Sequence, residues 1–218
     1  SPSSDLRLFD LMPTQHPKKY RRPIAEMYLD IARLIGCSTK GCLPYPLPYY
    51  EKSDQPIQPY MVLNPCGSRE TMRIRDDYLL EIARSLTHEL PGWKIIIPAM
   101  HENWTALRSL FSNTPNVTVL DPSPTVRPLL PLIQFASLVI TPDTALVHIA
   151  CAYKTPLVAI YTSELELFEQ WRPLDNENAR VIRSAKEKSL DGFSVTELLR
   201  ATSELSRDRL HGSENYLE

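Results

Sequence analysis

The chain has 218 residues, enough for one large domain or a domain and a half, and its charge sums to 24 − 26 = −2. That balance leaves no basic field for nucleic acid or for an anionic membrane surface. Hydrophobic residues make up 43%, enough for a core, and no apolar run approaches the roughly 18–20 residues of a membrane-spanning helix.

Residues 1–22 are polar, basic and interrupted by Pro2, Pro13 and Pro17, which reads as an extended arm. The opening Ser1-Pro2-Ser3-Ser4-Asp5 looks like a cut point in a longer protein, and Leu217-Glu218 reads as the scar of an expression vector. Ile24, Met27, Tyr28, Ile31, Leu34 and Ile35 keep helical spacing, with Pro23 at the first turn and Gly36 past the end. The prolines from Pro44 to Pro59 then forbid regular structure, so residues 1–57 are expected to be arm, helix and linker, with the compact domain at 58–216.

An alternation follows. Strands are expected at 60–64, 94–98, 117–120, 137–141 and 156–161, with a further one around Val181-Ile182. Helices are expected between them: Leu79 to Leu90, stopped by Pro91-Gly92, then 102–111, 129–135 and 144–153. A last helix carries Val195, Leu198, Leu199 and Leu205 behind the capping box Ser194-x-x-Glu197. Apolar strands that alternate with helices mean a doubly wound parallel α/β sheet, Rossmann-like, covered on both faces. Ligands of such a sheet sit outside the carboxyl ends of the strands.

With 20 prolines and only 6 glycines, none in a G-x-G, the chain has neither the dinucleotide fingerprint nor a P-loop. Nor does it hold G-x-S-x-G, H-E-x-x-H or D-x-D. Cys37, Cys42, Cys66 and Cys151 make no C-x-x-C, so they read as reduced structural thiols of a cytosolic protein, with no metal site. Trp93, Trp104 and Trp171 are scattered and read as packing residues.

Four loops can carry chemistry. In Thr141-Pro-Asp-Thr-Ala-Leu-Val-His148 a strand runs into a helix capped by Asp143 or Thr144. The first N–H groups, of Thr144, Ala145 and Leu146, would make an anion site suited to a diphosphate, with His148 one turn deeper. An ordinary cap beside a half-buried histidine fits the same spacing. In Asn64–Arg73, Gly67 would let backbone approach a phosphate, and Ser68, Arg69 and Arg73 would bind its oxygens. A solvated basic loop is the plainer alternative. Glu102 would suit a ribose diol or simply start a helix, and Ser123 to Thr125 would line a base.

Two stretches together, Leu138-Val-Ile-Thr-Pro-Asp-Thr-Ala-Leu-Val-His-Ile-Ala-Cys-Ala152 and Thr155-Pro-Leu-Val-Ala-Ile-Tyr161, resemble the signature of bacterial glycosyltransferase family 9. These are the ADP-heptose:lipopolysaccharide heptosyltransferases, and the resemblance spans about residues 58–185. It implies one half, the C-terminal nucleotide-sugar-binding half, of a B-type glycosyltransferase. The N-terminal half of such enzymes supplies the acceptor site and the catalytic base, so no catalytic residue is expected in this chain.

By the resemblance Asp143, Thr144, Ala145 and His148 would surround the diphosphate and sugar, and Gly67, Ser68 and Arg69 would hold phosphate. Glu102 would take the ribose, and Ser123 to Thr125 the adenine edge. Two departures stand out. The family glycine after Asp-Thr is Ala145, and the family's phosphate lysine is replaced by Met72 or Arg73.

The function implied is transfer of heptose from ADP-heptose to a lipopolysaccharide core acceptor. No cofactor and no essential metal are implied. The implied partners are a nucleotide sugar, a glycolipid acceptor and the N-terminal domain, with no nucleic acid. The implied location is the cytoplasm, with the inner face of the inner membrane reached only through the full-length enzyme. Competing readings are another nucleotide sugar, a degenerate non-catalytic nucleotide-binding half, and a phosphate-binding regulatory domain of unrelated ancestry.

Overall fold

The computed structural model describes residues 22–42, 45, 47, 58–67 and 69–212. The expectation for the arm at 1–21 and for Leu217-Glu218 lies outside them, as does that for Ser68. Six strands form one sheet: β1 (Tyr60–Leu63), β2 (Lys94–Ile97), β3 (Val117–Val119), β4 (Leu138–Pro142), β5 (Leu157–Tyr161) and β6 (Ala179–Arg183). All neighbours pair in parallel, in the order β3-β2-β1-β4-β5-β6. This is the doubly wound Rossmann-type order, with its switch point between β1 and β4.

Side-chain alternation sorts the core into two layers. Met61, Leu63, Ile95, Ile97, Leu138, Ile140, Val158 and Ile160 face α2 (Asp76–Glu89), α3 (Trp104–Leu110) and α7 (Val195–Gly212). Tyr60, Val62, Val139, Leu157, Ala159 and Tyr161 face α4 (Leu129–Gln134), α5 (Ala145–Tyr153) and α6 (Leu165–Trp171). The inner strands β1, β4 and β5 are buried at every residue, while the edge strands β3 and β6 are largely half-buried. That is why the inner strands read as continuous apolar runs.

Helix α1 (Ile24–Leu34) forms where its spacing places it but buries no residue, and Tyr28, Leu34 and Ile35 are exposed. Two elements differ from expectation. The helix expected from Glu102 starts at Trp104, because the Asn103 side chain accepts the Met100 N–H (2.9 Å) and holds residues 101–103 in a turn. Helix α6 was not expected: Leu165, Phe168 and Trp171 give it barely two turns of apolar spacing, too short to stand out.

Ser194 Oγ accepts the Glu197 N–H (3.1 Å), the first bond of the capping box at α7. Cys66 and Cys151 are buried, and Cys37 and Cys42 are exposed. Among the described residues, no helix is long and apolar enough to cross a membrane.

Candidate functional site

The carboxyl ends of β1, β4, β5 and β6 surround a cavity of about 940 Å³, inside the roughly 300–1,000 Å³ range of small-molecule sites. Its floor is the start of α5. Thr144 is the N-cap with extended backbone, and its Oγ1 accepts the Leu146 N–H (3.3 Å). The cap therefore consumes the Leu146 donor that the sequence reading left free. The N–H groups of Thr144 and Ala145 have no acceptor among the described residues and remain for an anion.

A buried polar chain holds this floor to the loop after β1. Asn64 Nδ2 donates to Thr141 Oγ1 (2.9 Å) and to the Cys66 carbonyl (3.0 Å), and Asn64 Oδ1 accepts the Cys66 N–H (3.1 Å). Thr141 Oγ1 lies 3.1 Å from Thr144 Oγ1, so the chain ends on the cap itself. Sequence reading missed Asn64 and Thr141. A polar residue closing each of two apolar strands was the available signal.

Of the expected site residues, Arg69, Asp143, Thr144, Ala145 and His148 line the cavity. Asp143 is half-buried and its carboxylate has no hydrogen-bond partner among the described residues. Burial pushes its pKa up to about 6. His148 is half-buried, and burial moves its pKa down. Its Nδ1 is 3.0 Å from the hydroxyl of Tyr45, and its ring lies 5.1 Å from the Tyr45 ring and 5.9 Å from that of Trp171.

The other expected residues are placed elsewhere. Arg73 pairs with Glu70 (3.1 Å) and with Asp76, within its own loop and helix start, so its fork is already engaged. Gly67 does not line the cavity. A Cβ there would stand 2.0 Å from the Met72 carbonyl oxygen, so the close packing of the 3₁₀ turn Glu70–Met72 is itself a reason for glycine at this position. Glu102, Ser123 and Thr125 are exposed on the loops after β2 and β3, along the same sheet edge but outside the cavity.

Sequence reading missed Glu164 and Lys188, which line the cavity from the loops after β5 and β6. Lys188 is held there by its loop. The Leu190 N–H donates to the Thr71 carbonyl (3.0 Å), the Ser163 N–H to the Lys186 carbonyl (3.0 Å), and Ser184 Oγ to the carbonyls of Ser189 and Asp191 (both 2.9 Å). Arg69 and Lys188 form no ion pair among the described residues, whereas Arg73, Arg75 and Lys186 all do. No cluster of His, Cys, Asp and Glu that would hold a metal occurs among the described residues.

The profile of glycosyltransferase family 9 (heptosyltransferase) matches residues 22–200. The chain belongs to this family. The match begins before α1, so the helix ahead of the linker is part of the family 9 pattern.

Solved structures agree on the fold. The Escherichia coli ADP-heptose lipopolysaccharide heptosyltransferase II shares 18% identity at a TM-score of 0.59, with 89% of this chain and 53% of that one covered. A family 9 glycosyltransferase from Veillonella parvula shares 14% at 0.69, with 88% and 62% covered. The E. coli heptosyltransferase WaaC, solved with ADP, shares 17% at 0.60, with 80% and 54% covered. The chain thus spans between 53% and 62% of the length of these proteins. No curated protein matched.

Proposed function

We propose that this chain is the donor-binding half of a family 9 glycosyltransferase that takes a heptose from ADP-heptose to a lipopolysaccharide core acceptor in the cytoplasm. The observation that carries the reading is the cavity over the start of α5. Two cations with no ion pair among the described residues, Arg69 and Lys188, stand in its wall, and two N–H groups with no acceptor among those residues stand in its floor. WaaC, a protein with the same fold, is solved with ADP.

In this reading the diphosphate lies against Arg69, Lys188 and the N–H groups of Thr144 and Ala145. These groups bind the nucleotide and stabilise the charge left on it as the sugar departs. Lys188 then stands in for the phosphate lysine that the loop after β1 lacks. Asp143, Glu164 and His148 face the sugar and phosphoryl oxygens, where a carboxylate accepts hydroxyl hydrogens and an imidazole donates one. The nucleoside extends out of the cavity along the sheet edge toward Glu102 and Ser123–Thr125. The acceptor hydroxyl, and the base that takes its proton within about 3 Å, belong to the other half of the enzyme.

A second donor class has one observation in its favour. Ala145, exposed on the cavity wall, narrows the space beside the floor where family members carry glycine. That favours a donor sugar smaller at this point than heptose.

The test is nucleotide release with ADP-heptose and truncated lipopolysaccharide, run on this chain and on a protein that includes an N-terminal half. Release only with both halves is expected. Turnover by the 218-residue chain alone would place the base inside it and overturn the division of labour.

A further inference from the structure

His148 is met by a residue from outside the α/β unit. Tyr45 lies in the proline-rich segment, 103 positions away in sequence, yet it packs on the layer formed by α4, α5 and α6. Its hydroxyl is 3.0 Å from His148 Nδ1, and the two rings are 5.1 Å apart at 39°. The Trp171 ring also lies by the imidazole, at 5.9 Å and 51°. Beside these two aromatics, His148 has Nδ1 engaged, and Nε2 has no hydrogen-bond partner among the described residues.

The direction of that hydrogen bond decides what the second nitrogen offers. A neutral imidazole carries one N–H and one lone pair, and the partner of the first nitrogen selects the tautomer. Both rings are neutral near pH 7: burial raises the Tyr45 pKa above that of an ordinary phenol and lowers that of His148. A phenol is the stronger donor of the two. If Nδ1 instead donated to the phenol oxygen, Nε2 would turn a lone pair toward the cavity, which opposes any phosphoryl oxygen.

We propose that Tyr45 is a positioning residue that donates to His148 Nδ1, holding the imidazole in the Nε2–H tautomer so that it offers the cavity a hydrogen-bond donor. The tautomer follows from the Tyr45–His148 contact and from the phenol being the stronger donor, independently of any ligand. Its consequence for binding rests on the nucleotide-sugar reading above. It also means that Tyr45, from ahead of β1, helps to complete the donor site.

Nitrogen-15 NMR of the histidine side chains in the ligand-free 218-residue chain tests this directly. The expected spectrum at neutral pH shows His148 as Nε2–H, and Tyr45→Phe, which keeps the ring packing, moves it to a tautomer mixture. Titration with ADP should then show Tyr45→Phe weakening binding by about 3- to 10-fold, the worth of one hydrogen bond. In a His148→Gln background, whose amide donates without help, the Tyr45→Phe change should have no further effect.

An Nδ1–H tautomer in the wild-type chain, or a His148 spectrum unmoved by Tyr45→Phe, would overturn the proposal. Should ADP fail to bind the wild-type chain while the tautomer responds to Tyr45→Phe, the nucleotide reading falls and the positioning role stands.

Discussion

Asn64 donates to Thr141 Oγ1 across 2.9 Å, joining the ends of two strands that lie 77 residues apart in sequence and side by side at the switch point of the sheet. The bond is buried, with Asn64 at 5% and Thr141 at 0% exposure, so neither group has water to fall back on. Removing the amide strands the Cys66 N–H in a dry place and leaves Thr141 Oγ1 only the Pro142 carbonyl and Thr144 Oγ1 as partners. Asn64→Ala should therefore cost about 2–3 kcal/mol of stability, and Thr141→Val about 1–2 kcal/mol. Urea denaturation checks both, and losses under about 0.5 kcal/mol would mean that this chain of bonds is not what ties the two loops.

Arg69 and Lys188 should matter to nucleotide binding, and Arg73 should not. Alanine at either of the first two is expected to weaken ADP by about 1 kcal/mol, less than a buried charged bond because both side chains are exposed. Each variant should also reduce the dependence of affinity on salt. Arg73→Ala removes a cation already paired with Glu70 and Asp76 and should leave ADP affinity nearly unchanged. Calorimetry at two salt concentrations separates the three, and a large loss confined to Arg73→Ala would return the phosphate to the loop after β1.

Gly67→Ala distinguishes a structural glycine from a ligand-facing one. The new methyl would meet the Met72 carbonyl at 2.0 Å, so the 3₁₀ turn must move. The expected loss is about 1–3 kcal/mol of stability, the range for overpacking, read by chemical denaturation. Full stability with weakened ADP binding would show instead that the glycine makes room for phosphate.

Asp143 couples stability to pH. Its pKa rises from an ordinary 3.8 to about 6 because burial penalises the charged form. Below 3.8 the carboxyl is protonated in both folded and unfolded chains and carries no penalty. As pH rises through about 6 the folded chain must ionise a half-buried group, so stability contributed by the neutral form is lost. Asp143→Asn, neutral at every pH, should be more stable than wild type above pH 6 by about 1–2 kcal/mol, and the two should converge near pH 4. Parallel melting curves across this window would place the Asp143 pKa near its ordinary value.

Much of this was legible in the residues. Continuous apolar runs at β1, β4 and β5 mark strands buried on both faces, and the Thr141–His148 stretch shows a strand turning directly into a capped helix. What stayed hidden depends on long-range placement. Lys188 enters the cavity only because the loop after β6 is pinned to Thr71, and Tyr45 reaches His148 from a segment whose prolines announce no structure. Arg73 misled for a local reason that spacing does contain: Glu70 and Asp76 flank it at three residues on either side, and such neighbours engage an arginine before any ligand does.

Calorimetric titration of the chain with ADP, UDP and GDP measures directly whether the cavity over the start of α5 binds an adenosine diphosphate. Saturable binding of one nucleotide per chain is expected, with ADP preferred over UDP and GDP. Affinity should be reduced by about 1–2 kcal/mol in His148→Ala, whose imidazole donor is then gone. No binding of any of the three, or equal binding of all three with His148→Ala indistinguishable from wild type, would contradict the claim.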